Sequence, residues 1–277
     1  MSHYLITGNQ GFIGKNLAGR IISLGHTFIG LEKTDLGKED WQKNILNIFT
    51  SNKFDGIYHV GACSDTLEQD VNYMMFLNYE VTRFISDVAK KFGIKIVYSS
   101  SAACYGTDGL NPANLYAWSK YAGEQYIKAA GTGVSLRYFN VFGPGEENKG
   151  RMASVAYQSY KKYYVDKTVK EIELFPLRPQ RDFIHVDDVV SANIWAMEKC
   201  EIGNVYDVGT TTPVDFETFM NEFGIPYTYT TADSIPNGYQ FYTRANPEKI
   251  IPGWSPKSEI KSRVGDYKKY LDNKKRE

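Results

Sequence analysis

The chain has 277 residues, and its 32 Lys plus Arg equal its 32 Asp plus Glu. That balance leaves no electrostatic footprint for nucleic acid or an anionic membrane, and no apolar run approaches the length of a membrane span. No signal peptide precedes the first strand, the cysteines Cys63, Cys104 and Cys200 read as reduced core residues, and the histidines lack metal-ligand spacing, so a cytoplasmic, metal-free protein is expected.

In chain order, Tyr4-Leu5-Ile6 predicts a first strand. Thr7-Gly8-Asn9-Gln10-Gly11-Phe12-Ile13-Gly14 follows, then the helical spacing Leu17, Ile21, Leu24. Strand, glycine turn and helix in this order form a phosphate-binding element. Gly8 permits a positive φ, Gly11 lets the backbone approach a pyrophosphate, and Gly14 lets the helix pack closely on its strand. The helix start, with Phe12 and Ile13, offers free N–H groups and the positive dipole end. A second strand, Phe28 to Leu31, ends in Glu32, roughly 20 residues downstream, where a ribose-binding carboxylate belongs. A dinucleotide site is predicted.

The rhythm continues with a strand at Ile57 to Val60, a helix at Phe76 to Phe92, and a strand at Ile94 to Tyr98. A helix at Tyr116 to Ala130 and a strand at Val134 to Tyr138 follow. It predicts an α/β fold with a doubly wound parallel (Rossmann-like) sheet. Gly143-Pro144-Gly145 breaks the pattern. A polar, Tyr- and Lys-rich segment runs to Thr168, and Leu174 to Gln180 reads as a loop with two prolines. Strand and helix return at Phe183 to Trp195, with a strand at Val205 to Val208 and a terminal helix through Ile260, Val264, Tyr267 and Leu271. The expected division is a dinucleotide-binding domain of residues 1–140 and 183–208. Residues 141–182 and 209–277 form a smaller, discontinuous C-terminal substrate region.

Tyr116 and Lys120 form Tyr-x-x-x-Lys at a helix start, and their spacing puts both on one face. A tyrosine is a poor base at its ordinary pKa near ~10, and a neighbouring ammonium favours the phenolate. The pair can take a proton from a hydroxyl while hydride leaves the same carbon, and the lysine can reach ribose hydroxyls. Ser99-Ser100-Ser101 stands upstream at the carboxyl end of a strand, the edge where ligands of such sheets sit. Ser101 can hold the substrate oxygen beside Tyr116.

These motifs resemble the extended short-chain dehydrogenase/reductase superfamily. Longer stretches, among them His59 to Ser64, Tyr73-Met74-Met75, Ser100 to Ala103, Arg137 to Val141, Lys149 to Ala156 and Arg181-Asp182-Phe183, resemble the ADP-L-glycero-D-manno-heptose 6-epimerase family within it. The resemblance runs from the first strand to the terminal helix and includes Tyr239-Gln240 and Thr243. It implies transient oxidation of a side-chain carbinol by bound NADP and return of the hydride to the other face. It assigns Tyr116 to one face and Lys149 to the other, in place of a solvated loop lysine. It implies substrate contacts from Asn140, Arg181 and Tyr239. Their alternatives are a strand-end amide, an ion pair with Asp182 or Asp187, and packing. Asn78 is placed with the cofactor residues, bracing the active-site helix. A nucleotide-diphosphate sugar is the implied partner, and a homo-oligomer the implied assembly.

Departures from the family pattern stand at the pocket rim. The Gly106 to Leu115 loop is reduced, Arg151 replaces a small serine, Gln158 replaces a histidine, and the loop before Arg181 is shorter. Arg151 and Gln158 are still expected to line the sugar site. Glu32 favours the free ribose of NAD, whereas Lys33 and the nearby Lys38 can neutralise the extra phosphate of NADP, the expected cofactor. The other enzyme readings are a sugar 4-epimerase or a ketoreductase. Dehydration is disfavoured because Ala102-Ala103 follow Ser101. A non-catalytic nucleotide sensor is disfavoured by the intact Ser101, Tyr116 and Lys120.

Overall fold

The computed structural model describes all residues except 38, 108, 110, 236–238, 258 and 277. Its first half contains β1 (His3–Thr7), α1 (Phe12–Ser23), β2 (Thr27–Leu31), α2 (Lys33–Leu36), α3 (Trp41–Ser51), β3 (Gly56–His59), α4 (Val71–Met75), α5 (Val81–Phe92), β4 (Ile96–Ser101), α6 (Leu115–Ala130) and β5 (Gly133–Tyr138). The second half adds β6 (Asn140–Phe142), α7 (Val155–Tyr160), β7 (Ile172–Leu174), β8 (Gln180–Arg181), β9 (Phe183–His185), α8 (Val186–Lys199), β10 (Val205–Val208), β11 (Val214–Asp215), α9 (Phe216–Phe223), β12 (Tyr227–Tyr229) and α10 (Ile260–Lys274).

Six strands form one parallel sheet in the order β10-β5-β4-β3-β1-β2. Side chains alternate across a strand, so neighbours enter different cores. Tyr4, Ile6, Tyr58 and Val97 pack with Leu17 and Ile21 of α1 and Val189 and Ala196 of α8. Leu5, Ile57, Ile96 and Tyr98 pack on the other face with Phe49 of α3, Ile85 of α5 and Ile127 of α6. Burial on both faces explains why these strands read as unbroken apolar runs. The winding reverses between β1 and β3, the topological switch point at which ligands of open α/β sheets bind.

A separate aromatic core holds Phe142, Tyr160, Phe183, Phe219, Phe223 and Tyr267. Many of the chain's tyrosines are used there as packing. Ile251 and Trp254, far along the chain, return to the sheet's core instead.

Some elements escape the periodicity. In α3 only Ile45 and Phe49, one turn apart, are buried, too few to stand out in a polar run. Ser154 caps α7 inside the Tyr- and Lys-rich segment by accepting from Tyr157 N. The expected helix from Phe76 to Phe92 is a π-helical turn over Phe76–Glu80 followed by α5. Among the described residues no helix is long and apolar enough to cross a membrane.

Candidate active site

Two clefts open along the carboxyl edge of the sheet. The first, of about 490 Å³, is bordered by the β1–α1 turn. Gly8 has φ +67°, and a Cβ there would lie 2.6 Å from Gly61 Cα. A Cβ on Gly14 would lie 2.0 Å from Gly8 O, so the helix start can sit on the turn only with glycine here. No side chain caps α1, and Phe12 and Ile13 at its uncapped N-terminus line the cleft. Glu32 lies across the turn, its Oε1 accepting from Gln10 N at 2.7 Å. A tight glycine cradle, an open helix N-terminus and a carboxylate at the end of β2 fit the pyrophosphate and ribose of a dinucleotide. Lys33 also lines this cleft, but its ammonium donates to the Tyr73 hydroxyl and sits 4.6 Å from that ring's centre. Lys38 lies outside the described residues.

The second cleft, of about 890 Å³, runs between the sheet edge and the C-terminal half. Asn140, Arg181 and Tyr239 line it, as does Ser101. Lys120 lines only the first cleft, whereas Tyr116, Lys149 and Arg151 line both. The two clefts therefore meet at Tyr116 and Lys149.

Tyr116 sits in the first turn of α6, which Asn114 caps by accepting from Ala117 N at 2.8 Å. Burial pushes its hydroxyl up to about 12, against the opposing hydrogen bond from Ser101. The expected lowering by Lys120 is absent: desolvation sets the direction, and the group that opposes it is Ser101. The Lys120 ammonium instead stands 4.4 Å from the centre of the Tyr98 ring. Burial pushes Lys120 down to about 8. His59 is held neutral between the hydroxyls of Thr7 and Thr82, each at 2.8 Å, with burial the main cause of its pKa falling to about 3. Lys149 reaches the junction from the segment Glu146–Met152, with Nζ 5.5 Å from the centre of the Phe12 ring. Burial lowers its pKa and Glu146 raises it.

Arg181 is buried, and its guanidinium lies 5.2 Å from the Tyr239 ring and 5.9 Å from the Phe216 ring. Asp182 is turned away, accepting from Thr210 N, Thr211 N and Ala245 N at 2.7 to 2.9 Å. Asp187 pairs with Arg263. Among the described residues no carboxylate pairs with Arg181, so the ion-pair alternative fails and a desolvated cation faces the second cleft.

Three expected contacts are placed differently. Gln158 lines neither cleft; its amide donates to Arg151 O at 3.0 Å and Ala153 O at 2.7 Å and shapes the loop behind Arg151. Asn78 is also off both clefts, turned inward by the π-helical turn. Its Oδ1 accepts from Cys63 N at 2.7 Å, and its Nδ2 donates to Cys63 O at 3.0 Å and Ser119 Oγ at 2.9 Å. It braces α6 between Tyr116 and Lys120 and does not touch the cofactor cleft. Arg151 lines the clefts but is engaged by Asp65 at 2.5 Å.

One buried pair lies outside the expectations from the sequence. Glu124, fully buried, accepts from Arg137 at 2.6 and 2.8 Å and from Ser100 Oγ at 2.7 Å. It stands one helical turn beyond Lys120, and the run 116, 120, 124 on one face was its only local signal. Arg244, also in the second cleft, gave none.

Residues 4–209 match the family described as the NAD dependent epimerase/dehydratase family. The ADP-L-glycero-D-manno-heptose-6-epimerase of Brachyspira hyodysenteriae is 33% identical over 308 residues, covering 97% of this chain and 96% of the relative. Its namesake from Thiobacillus denitrificans is 35% identical over 246 residues, covering 76% of this chain and 74% of the relative. The crystal structure of the Helicobacter pylori ADP-L-glycero-D-manno-heptose-6-epimerase superposes with a TM-score of 0.85 at 25% identity, over 98% of this chain and 96% of that one. The Thermotoga maritima UDP-glucose 4-epimerase shares the fold, with a TM-score of 0.84 at 22% identity, over 98% and 99% of the two chains.

Proposed function

The chain belongs to the NAD dependent epimerase/dehydratase family and is an enzyme of the isomerase class, and on that premise we propose that it inverts a side-chain carbinol of a nucleotide-diphosphate sugar, ADP-glycero-manno-heptose being the substrate. The observation that carries the reading is the meeting of the two clefts at Tyr116 and Lys149. Inversion needs an acid/base on each side of one carbon. Tyr138 at the same junction is tied to Ser99 and Asn193, both at 2.8 Å, and a guanidinium such as that of Arg151 does not deprotonate.

When bound, the nicotinamide dinucleotide supplies a hydride acceptor and donor. The chain's own residues handle the proton. Tyr116, held protonated by burial, is the donor to an oxygen on its face, with Ser101 fixing its hydroxyl. Lys149, pushed down by burial, is the proton acceptor on the other. Their roles exchange in the reverse direction. Arg181, with the Tyr239 and Phe216 rings about it, clamps the diphosphate. The cofactor follows the expectation of NADP, supported by Lys33 beside the ribose carboxylate. The bond from Gln10 N to Glu32 favours NAD as a second reading, and competition binding of the two dinucleotides separates them. A cytoplasmic homo-oligomer belongs to the same reading, and sedimentation measures its size.

The purified protein is expected to convert one ADP-glycero-manno-heptose epimer into the other by NMR, with almost no net growth of reduced-nicotinamide absorbance. Steady accumulation of reduced cofactor identifies a dehydrogenase and rejects the proposal. Arg181→Met is expected to raise KM for the nucleotide sugar by roughly 10- to 100-fold and to change kcat little, the pattern of a lost binding contact. An unchanged KM removes Arg181 from the diphosphate site.

A further inference from the structure

Glu146 precedes Lys149 by one turn of the same 3₁₀ segment, and its side chain is fully buried. A buried carboxylate persists only when hydrogen-bonded. Its Oε1 accepts from Gly143 N at 3.2 Å and Ser154 Oγ at 2.8 Å, and its Oε2 accepts from Ser154 N at 2.6 Å. These bonds join the chain just after β6 to the cap of α7 and close the intervening loop on itself. Lys149 lies within that closed loop.

Neighbouring bonds fix the loop from outside. Glu147 accepts from Gly145 N at 3.0 Å and from the Tyr270 hydroxyl of α10 at 3.2 Å, and it pairs with Lys274. Asn16 of α1 donates to Pro144 O at 2.9 Å. Beside these outer contacts, the loop also buries the Glu146 carboxylate.

We infer that Glu146 is a positioning residue for Lys149: its three accepted bonds hold the loop in the shape that presents the lysine to the junction of the two clefts. The inference rests on the reading of Lys149 as an acid/base. Charge acts in the same direction. Lys149 faces Glu146 on its own segment, the Phe12 ring of α1, and Tyr116 and Arg151 across the clefts. Glu146 is the group that opposes the effect of burial on it. Glu146 itself also faces Tyr157 of α7 and Tyr267 of α10, both held protonated by burial.

Glu146→Gln keeps the shape but turns one acceptor into a donor and removes the charge. It is expected to retain dinucleotide binding and to lose roughly 10-fold in kcat through misplacement of the lysine. The limb of the pH–rate profile set by Lys149 should move to lower pH, because burial then acts unopposed. In a Lys149→Met background the same change should alter kcat by less than about 2-fold, since a residue acting through Lys149 has nothing left to position. A wild-type kcat and pH profile for Glu146→Gln, or an equal loss in both backgrounds, overturns the inference. If Lys149→Met itself turns over normally, the reading of Lys149 has failed instead. Should Glu146→Gln not fold, Ser154→Ala removes one of the three bonds and keeps the charge. It should lower kcat without moving the pH limb, and a shifted limb or an unchanged kcat counts against the inference.

Discussion

Lys149→Met is expected to lose roughly 10²-fold in epimerisation while binding dinucleotide as the parent chain does. The side chain comes from the loop Glu146–Met152 and lines both clefts, so it does not belong to the glycine turn's side alone. Methionine preserves the approximate length and apolar stem of the side chain, and what is lost is the titrating amine together with its approach to the Phe12 ring. Burial has already lowered the lysine's pKa, which brings its neutral, proton-accepting form closer to physiological pH. Product formation by NMR and dinucleotide titration measure the two effects separately. A wild-type rate would mean that one residue serves both orientations of the sugar, and the single-tyrosine 4-epimerase reading would replace the present one.

Tyr116→Phe should cost turnover at least ~10²-fold and leave dinucleotide affinity within about 2-fold, since it deletes a proton-transfer group and keeps the ring. With its hydroxyl pushed up to about 12, Tyr116 is protonated throughout the working range, and the wild-type rate should show no titration of this group near neutrality. The dinucleotide titration belongs below about pH 8, where Lys120 keeps its ammonium form despite burial. A residual rate matching wild type would move the proton donor elsewhere. Loss of cofactor binding together with turnover would show that the hydroxyl also holds the α6 start through Ser101.

Much of this site was legible as local pattern. A strand, a glycine turn and a helix are contiguous, and their chemistry follows from backbone freedom at Gly8 and the missing Cβ at Gly14. The Tyr116–Lys120 pair needs only the helical repeat, and the parallel sheet needs only unbroken apolar strands alternating with amphipathic helices. Short elements such as α3 and α7 bury too few residues to announce themselves, and their stability comes from cores assembled far along the chain.

By itself, then, the sequence determined the sheet, the phosphate turn and which helix bears the tyrosine and lysine, because each depends on neighbours within a few residues. Tertiary structure decided what each side chain faces. Asp182, adjacent to Arg181, is drawn off by backbone N–H groups at Thr210, Thr211 and Ala245, and among the described residues no carboxylate pairs with the arginine, which donates to Gln180 O. Glu146, in what reads as a polar turn, is fully buried against Ser154 and Gly143. Gln158 and Asn78 bond to backbone groups and line neither cleft. Tyr116 stays protonated because desolvation outweighs its hydrogen bond, and desolvation is set by chain segments that no local spacing can register.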